Sequence, residues 1–460
     1  MRRILFSIFV ILSLAEMQAL VSGCAQIVAP TGGPRDTLPP KLVSATPKME
    51  ATHFTGNKIT LYFDEYLQIQ ELQQNLLVSP APKLNPYIDA KLRSVTIRLR
   101  DTLEPNTTYT IDLGNSIRDI NENNIVKNFR YVFSTGNTID SLSFSGKVQL
   151  AETGKVDSTI IVLLYKNLED SAVNKIKPKY IARLDGAGNF TFQNLAGGPY
   201  KLYALKDDDG SRTYNSKSEI FAFTGNTLQV DGNNPPITLY AYAEEKEPAK
   251  TTVPEKKLRY TTKIPAQKQD VLNDLVIEFN RPLMNVDKQK VLLTDTLNNP
   301  VKDIVITTDS THKKLFIKTK WLQGTEYKLF LQKDFATDTT GLVLAKSDTI
   351  RFKTKSEADY GIVKLNFLNF DKSRNAVLQL VQNDVVISAY PLASATWNAP
   401  LFNPGEYEMR ILFDENGNGQ WDPGNFAKKL QPEKVYSIPQ KLSVRENFEK
   451  DIDIELPPSR

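Results

Sequence analysis

The chain has 460 residues, of which 40% are hydrophobic and 24% charged, and a net charge of +4. Its 57 basic and 53 acidic residues are interspersed, which excludes the concentrated positive surface of a nucleic-acid-binding protein. A single cysteine excludes an internal disulfide framework, and the length sets an expectation of roughly three or four domains.

Residues 1–23 carry the parts of an export signal: Arg2 and Arg3, an apolar run from Ile4 to Leu14, and small residues before Cys24. The run is too short for a membrane span, which needs about 20 apolar residues, and Glu16 follows it. Val21-Ser22-Gly23-Cys24 resembles a lipobox, with Val21 where Leu is usual. The resemblance implies that residues 1–23 are a lipoprotein signal peptide. It also implies that Cys24 is the lipid-attachment residue of a Gram-negative outer membrane lipoprotein carrying palmitate-type chains. Each buried CH₂ of such a chain contributes about 0.8 kcal/mol, so two or three chains hold a protein on a bilayer stably. Ala25-Gln26-Ile27-Val28 contains no acid, which favours the periplasmic face over the cell surface. Residues 24–38 are rich in Pro, Gly and Thr, lack an apolar period, and read as a tether.

Beyond the tether, β-branched and aromatic runs of strand length recur between Gly, Pro, Asn and Asp, and no window holds a helical period. The expected fold class is all-β: four tandem β-sandwich modules in the order A-B-A-B, strung outward from the lipid. The first A module spans 39–136 and the first B module 138–243. A charged linker follows at 244–257, then the second A module at 258–356 and the second B module at 357–457.

Internal repetition carries this division. In the first A module, Ser94 to Arg98 leads through Leu103, Pro105 and Thr107 to Tyr109, then to Ile117-Arg118-Asp119. In the second, Lys314 to Lys318 leads to Thr325 and Tyr327, then to Asp338. Both open on a similar strand, Ile59–Phe63 and Leu275–Phe279. A Tyr after such a turn can bury its ring while its hydroxyl bonds nearby backbone. These segments resemble the bacterial immunoglobulin-like domain of the SbsA type. The second copy is divergent: Asn280 replaces the acid found at Asp64, and Gly324 stands in the turn.

The B modules repeat as well. Gly198 and Gly405, Tyr200 and Tyr407, Asp207 and Asp414, and Tyr214 and Trp421 all lie 207 positions apart (405 − 198 = 207). Four coincident offsets point to duplication. The strand, L-x-x-G-x-Y, strand pattern resembles prealbumin-like sandwich modules of the Cna-B or carboxypeptidase-regulatory kind.

Each B module carries one candidate cation loop. In the second, Asp414, Asn416, Asn418 and Asp422 place oxygen side chains at positions 1, 3, 5 and 9. In the first, the corresponding residues are Asp207, Asp209, Ser211 and Asn215. That spacing wraps hard oxygen ligands round one ion, so the expected ion is calcium. Position 12, where a helix–loop–helix site supplies a bidentate Glu, is Asn425 or Ser218, with Glu219 one residue late. The alternative is a hairpin loop whose side chains bond their own backbone.

Catalytic patterns are not visible. His53 and His312 stand in polar turns, and no nucleophile elbow, metalloprotease helix motif or phosphate loop occurs. Asp64 and Glu65 could form a glycosidase pair only if both side chains converged, and neighbours on a strand point to opposite faces. Asp-Ser/Thr dipeptides, among them Asp36-Thr37, Asp157-Ser158 and Asp295-Thr296, resemble an O-glycosylation sequon or are turn residues. The chain is therefore expected to be a non-enzymatic, lipid-anchored envelope protein. Its partners would be the membrane, other envelope proteins or glycans, and no nucleic acid. The alternatives are a cell-surface adhesin or glycan-binding protein and, least supported, a hydrolase with a site between modules.

Overall fold

The computed structural model describes residues 35–246 and 257–458. The expected signal peptide, Cys24, most of the tether and the middle of the charged linker lie outside the described residues. The chain falls into two compact units, one built of residues 35–78 and 82–139, the other of 79–81 and 140–458. The fold is all-β, in tandem sandwich modules.

The first A module contains β1 (Leu42–Thr46), β2 (Lys58–Phe63), β3 (Leu67–Ile69), β4 (Leu77–Ser79), β5 (Tyr87–Lys91), β6 (Ser94–Arg98), β7 (Thr108–Gly114), β8 (Ile117–Asp119) and β9 (Phe129–Ser134). They form sheets in the orders β1-β2-β6-β5 and β4-β7-β9, with the pair β3-β8. Period-two alternation decides which faces meet. Ile59, Leu61 and Phe63 of β2, Val95 and Ile97 of β6, and Tyr109, Ile111 and Leu113 of β7 all turn into one core.

The second A module repeats this wiring. Its strands are β18 (Tyr260–Thr262), β19 (Lys268–Gln269), β20 (Leu275–Phe279), β21 (Leu283–Val286), β22 (Val291–Asp295), β23 (Val305–Thr308), β24 (Lys314–Lys318), β25 (Glu326–Leu331), β26 (Ala336–Asp338) and β27 (Asp348–Thr354). The orders are β18-β20-β24-β23 and β19-β27-β25-β22, with the pair β21-β26. Its departures in sequence are substitutions that keep the job. Asn280 Oδ1 accepts the Arg259 N–H at 2.8 Å, as Asp64 Oδ1 accepts that of Lys41 at 2.7 Å. Gly324 and Asn106 each lie three residues before the turn Tyr, at φ +63° and +49°. Gly and Asn are residue types that tolerate this left-handed conformation. Tyr109 Oη accepts the Glu104 N–H at 2.7 Å, and Tyr327 Oη that of Leu322 at 3.4 Å.

The first B module contains β10 (Leu142–Leu150), β11 (Ile161–Tyr165), β12 (Tyr180–Arg183), β13 (Asn189–Leu195), β14 (Gly198–Leu205), β15 (Phe221–Phe223), β16 (Leu228–Val230) and β17 (Ile237–Ala241). The second contains β28 (Gly361–Leu368), β29 (Ala376–Gln382), β30 (Val385–Pro391), β31 (Thr396–Phe402), β32 (Gly405–Phe413), β33 (Lys434–Val444) and β34 (Glu449–Glu455). Sheets β13-β10-β17 and β31-β28-β34 correspond, each with one parallel pair. Opposite them lie β12-β11-β14-β15, with β16 on β14, and β30-β29-β32-β33.

Within the second unit, the modules are not simply strung in chain order. The two B modules pack directly on each other, and the reason lies in β14 and β32. On β14, Tyr200, Leu202 and Ala204 enter the module's own core, while Tyr203 and Leu205 are buried on the other face. On β32, Met409, Ile411 and Phe413 face inward, and Leu412 joins Val377, Val435 and Trp421 on the outer side. A strand that is apolar on both faces needs cover on both. The second A module meets the second B module through Asp270, which accepts from Tyr360 Oη and Asn403 Nδ2, each at 2.7 Å.

Candidate functional site: two oxygen-rich loops and the module junction

Both loops leave the end of a central strand. In the second B module, the loop joins β32 to β33 across residues 414–433. Asp414, 2% exposed, is its anchor. Its carboxylate accepts N–H bonds from Gly417 (2.7 Å) and Asn418 (3.3 Å) on one oxygen and from Gly419 (2.6 Å) on the other. Gly417 and Gly419, at φ +75° and +77°, allow the chain to curl round that carboxylate. The Nδ2 groups of Asn416 and Asn418 both donate to Asp422 Oδ2 at 2.6 Å. Two amide donors thus converge on one carboxylate oxygen, while the Asn416 and Asn418 oxygens accept the N–H of Asn418 (3.0 Å) and Gln420 (2.7 Å), so the loop bonds itself as the hairpin alternative requires. Rotation of the carboxamides would turn their oxygens to the same point.

A residue that spacing did not find completes this loop. Glu433, 5% exposed, accepts the Glu415 N–H (2.8 Å) and the Asp422 N–H (3.0 Å). Burial pushes the Glu433 carboxyl up, and the neighbouring charges of Asp414 and Asp422 act in the same direction against its backbone donors.

The first B module holds the shorter version. Asp207 accepts the Arg212 N–H (2.9 Å), and Asp209 accepts the Ser211 N–H (2.8 Å) and Asn215 Nδ2 (2.8 Å). Burial raises the Asp207 carboxyl, whereas the Asn215 and Ser211 bonds hold Asp209 down to about 2. Glu219 accepts the N–H of Asn215 (2.9 Å) and of Ser216 (3.0 Å). Asn215 and Asp422 are equivalent in the 207-residue repeat, so Glu219 and Glu433 do the same work on the two loops. Their distances from position 9 differ, 219 − 215 = 4 against 433 − 422 = 11, which hid Glu433 from a spacing argument. Among the described residues, no three His, Cys, Asp or Glu side chains cluster tightly enough to bind an ion by themselves. Any ion here would also depend on the Asn and Ser oxygens.

The extra residues after Asp422 form the junction between the B modules. Asn425 and Leu430 close a small turn, and Phe426 at its tip is buried among rings of the first B module. Its centroid lies 5.1 Å from Phe221, 5.2 Å from Phe223 and 5.9 Å from Tyr203. Lys429 Nζ sits 4.0 Å over the Phe426 ring and pairs with Asp170 at 2.8 Å. Backbone and charge extend the contact: Val435 N–H donates to Ala151 O (3.0 Å), and Lys155 bridges Asp384 (2.7 Å) and Glu408 (3.0 Å). The charged linker begins as part of this junction, since Glu244 accepts the Phe426 N–H.

The other residues singled out in the sequence do not assemble. His53 and His312 are exposed in turns at φ +52° and +54°. Asp64 and Glu65 follow β2 rather than lying on it, and Asp64 is engaged with the Lys41 N–H. Asp36, Asp157 and Asp295 each accept the N–H two residues on, at 2.9, 3.0 and 2.9 Å, which is turn chemistry.

A family model described as "Bacterial Ig-like domain" matches residues 36–135. No curated protein matches the chain. Among solved structures, the chain is similar to the Bacillus anthracis TIE protein, at 11% identity over 93% of this chain and 76% of that one, TM-score 0.18. It is also similar to BcpA, the major pilin subunit of Bacillus cereus, at 12% identity over 68% and 98%, TM-score 0.16. The N-terminal part of the bacterial S-layer protein SbsC matches at 17% identity over 42% and 44%, TM-score 0.16.

Proposed function

We propose that the chain is a non-enzymatic cell-envelope protein, anchored by lipid at Cys24 and serving as a multi-module interaction scaffold. Its first module matches a bacterial Ig-like domain, and modules of that kind point to a surface or structural role. The scaffold reading rests on the plugging of Phe426 into the first B module, which locks two sandwiches together. Such a platform suits binding of other envelope proteins or glycans. We further propose that calcium occupies the loops at Asp207, Asp209, Ser211 and Asn215 and at Asp414, Asn416, Asn418 and Asp422, with Glu219 and Glu433 as supporting carboxylates. Few charged ligands per loop place the affinity in the range of about 10⁻⁴–10⁻³ M known for extracellular calcium modules.

Protease treatment of intact cells tests the orientation. A scaffold on the periplasmic face stays uncut until the outer membrane is permeabilised. Cleavage in intact cells would instead support the surface adhesin.

A further inference from the structure

A cleft of about 740 Å³ lies where the two B modules meet. Thr238 and Tyr240 of β17 and Gln149 of β10 form one wall. Arg374, Phe413, Lys434 and Tyr436 of the second B module form the other. Its walls are fixed relative to each other by the Val435–Ala151 backbone bond and by Gln431 Nε2 donating to Phe223 O at 3.1 Å. Clefts of this size at module junctions are where small ligands are usually held.

Two features narrow the ligand. First, the cleft offers ring faces: Tyr240, Tyr436 and Phe413 line it together. Second, it holds two cations that form no ion pair with a carboxylate among the described residues. The Arg374 guanidinium lies 3.5 Å over the Phe413 ring and donates to Pro457 O at 3.0 Å. Lys434 Nζ lies 5.0 Å over the Tyr240 ring. Other cations at this junction are committed: Lys155 and Arg410 to Asp384 and Glu408, and Lys429 to Asp170. Asp371, the acid in the lining, accepts from the N–H and hydroxyl of Ser373, and its charge also acts on the Arg374 guanidinium. A guanidinium and an ammonium laid on rings, with Thr238, Ser373 and Gln149 at hand, suit a ligand that has a stacking face, hydroxyl groups and a negative charge.

We propose that this cleft binds an anionic saccharide, with its carboxylate or phosphate taken by Arg374 and Lys434 and a sugar ring laid on Tyr436. The proposal deepens the scaffold reading by naming a ligand class, and it stands apart from the lipid anchor, whose presence the binding test does not touch. The test is calorimetric titration of the purified full-length protein with trigalacturonate, with maltotriose as the neutral control and a glutamate-rich peptide as the acidic one. Trigalacturonate is expected to bind saturably and more weakly as salt rises, with maltotriose at least tenfold weaker. Lys434→Gln, whose side chain is exposed, and Arg374→Gln are each expected to weaken binding about tenfold, the loss of one charge-assisted hydrogen bond. Lys434→Gln should keep the wild-type melting temperature, which separates lost binding from lost folding. No binding of trigalacturonate, equal binding by Lys434→Gln, or tighter binding of the peptide than of the saccharide would each overturn the assignment.

Discussion

Glu244 Oε1 accepts the Phe426 N–H at 2.9 Å, so the first residue of the charged linker grips the loop tip of the second B module. The grip aims the Phe426 ring into the outer aromatic face formed by Tyr203, Phe221 and Phe223. Residues 182 apart in sequence thereby decide how two duplicated sandwiches sit against each other.

Phe426→Ala should therefore uncouple the B modules. Removing a buried Phe costs about 3–5 kcal/mol, and this ring is 8% exposed. The expected result in urea unfolding is a loss near the lower end of that range, with the two B modules unfolding in separate transitions in the variant and together in the wild type. A loss below about 0.5 kcal/mol would show that the ring does not hold the junction.

Calcium should raise stability through the β32–β33 loop. A ligand that binds only the folded state at 100 times its dissociation constant adds about 2.7 kcal/mol. Melting with calcium and then with chelator should show an increment that Asp414→Asn and Glu433→Gln each abolish. An unchanged midpoint in the wild-type protein removes the ion from the loop.

The turn tyrosines should differ between the A modules. Tyr109→Phe leaves the Glu104 N–H without its acceptor and should cost about 1–3 kcal/mol. Tyr327→Phe should cost less, because its hydrogen bond is 3.4 Å long against 2.7 Å. Equal losses in chemical denaturation would contradict this ranking.

Asp338 sets an acid limit on the second A module. Burial raises its carboxyl, but the N–H groups of Leu342 and Thr340, the Thr340 hydroxyl and Arg281 together hold it down to about 2. A depressed folded value means stability that is complete above the unfolded value, near 4. That stability is lost as pH falls through the folded one. Asp338→Asn should flatten the change in melting temperature between about pH 4 and 2, and should cost about 3 kcal/mol at pH 7 by stripping Arg281 of its buried partner. A variant that keeps the wild-type acid profile would assign that profile to other carboxylates.

The sandwich fold was readable because its signals are local. Alternation in Ile59–Phe63 and Leu275–Phe279 and the paired turn tyrosines each lie within one strand or turn, and the 207-residue offset needs only counting. The loop at Asp414 was legible for the same reason. Glu433 was not, because seven more residues separate it from Asp422 than separate Glu219 from Asn215 (11 − 4 = 7). Those residues carry Phe426, whose place depends on a surface supplied by another module. One signal of that surface was present in the sequence. Tyr200 to Leu205 and Met409 to Phe413 are apolar on nearly every position, so neither strand could leave a face to water.

Lipid attachment at Cys24 underlies the proposed scaffold role, and intact-mass measurement of the protein purified from the cells that make it decides the matter. The expected species begins at Cys24 and carries the added mass of two or three acyl chains. A mature chain that begins at any other residue, or one with a free thiol at Cys24, would contradict it.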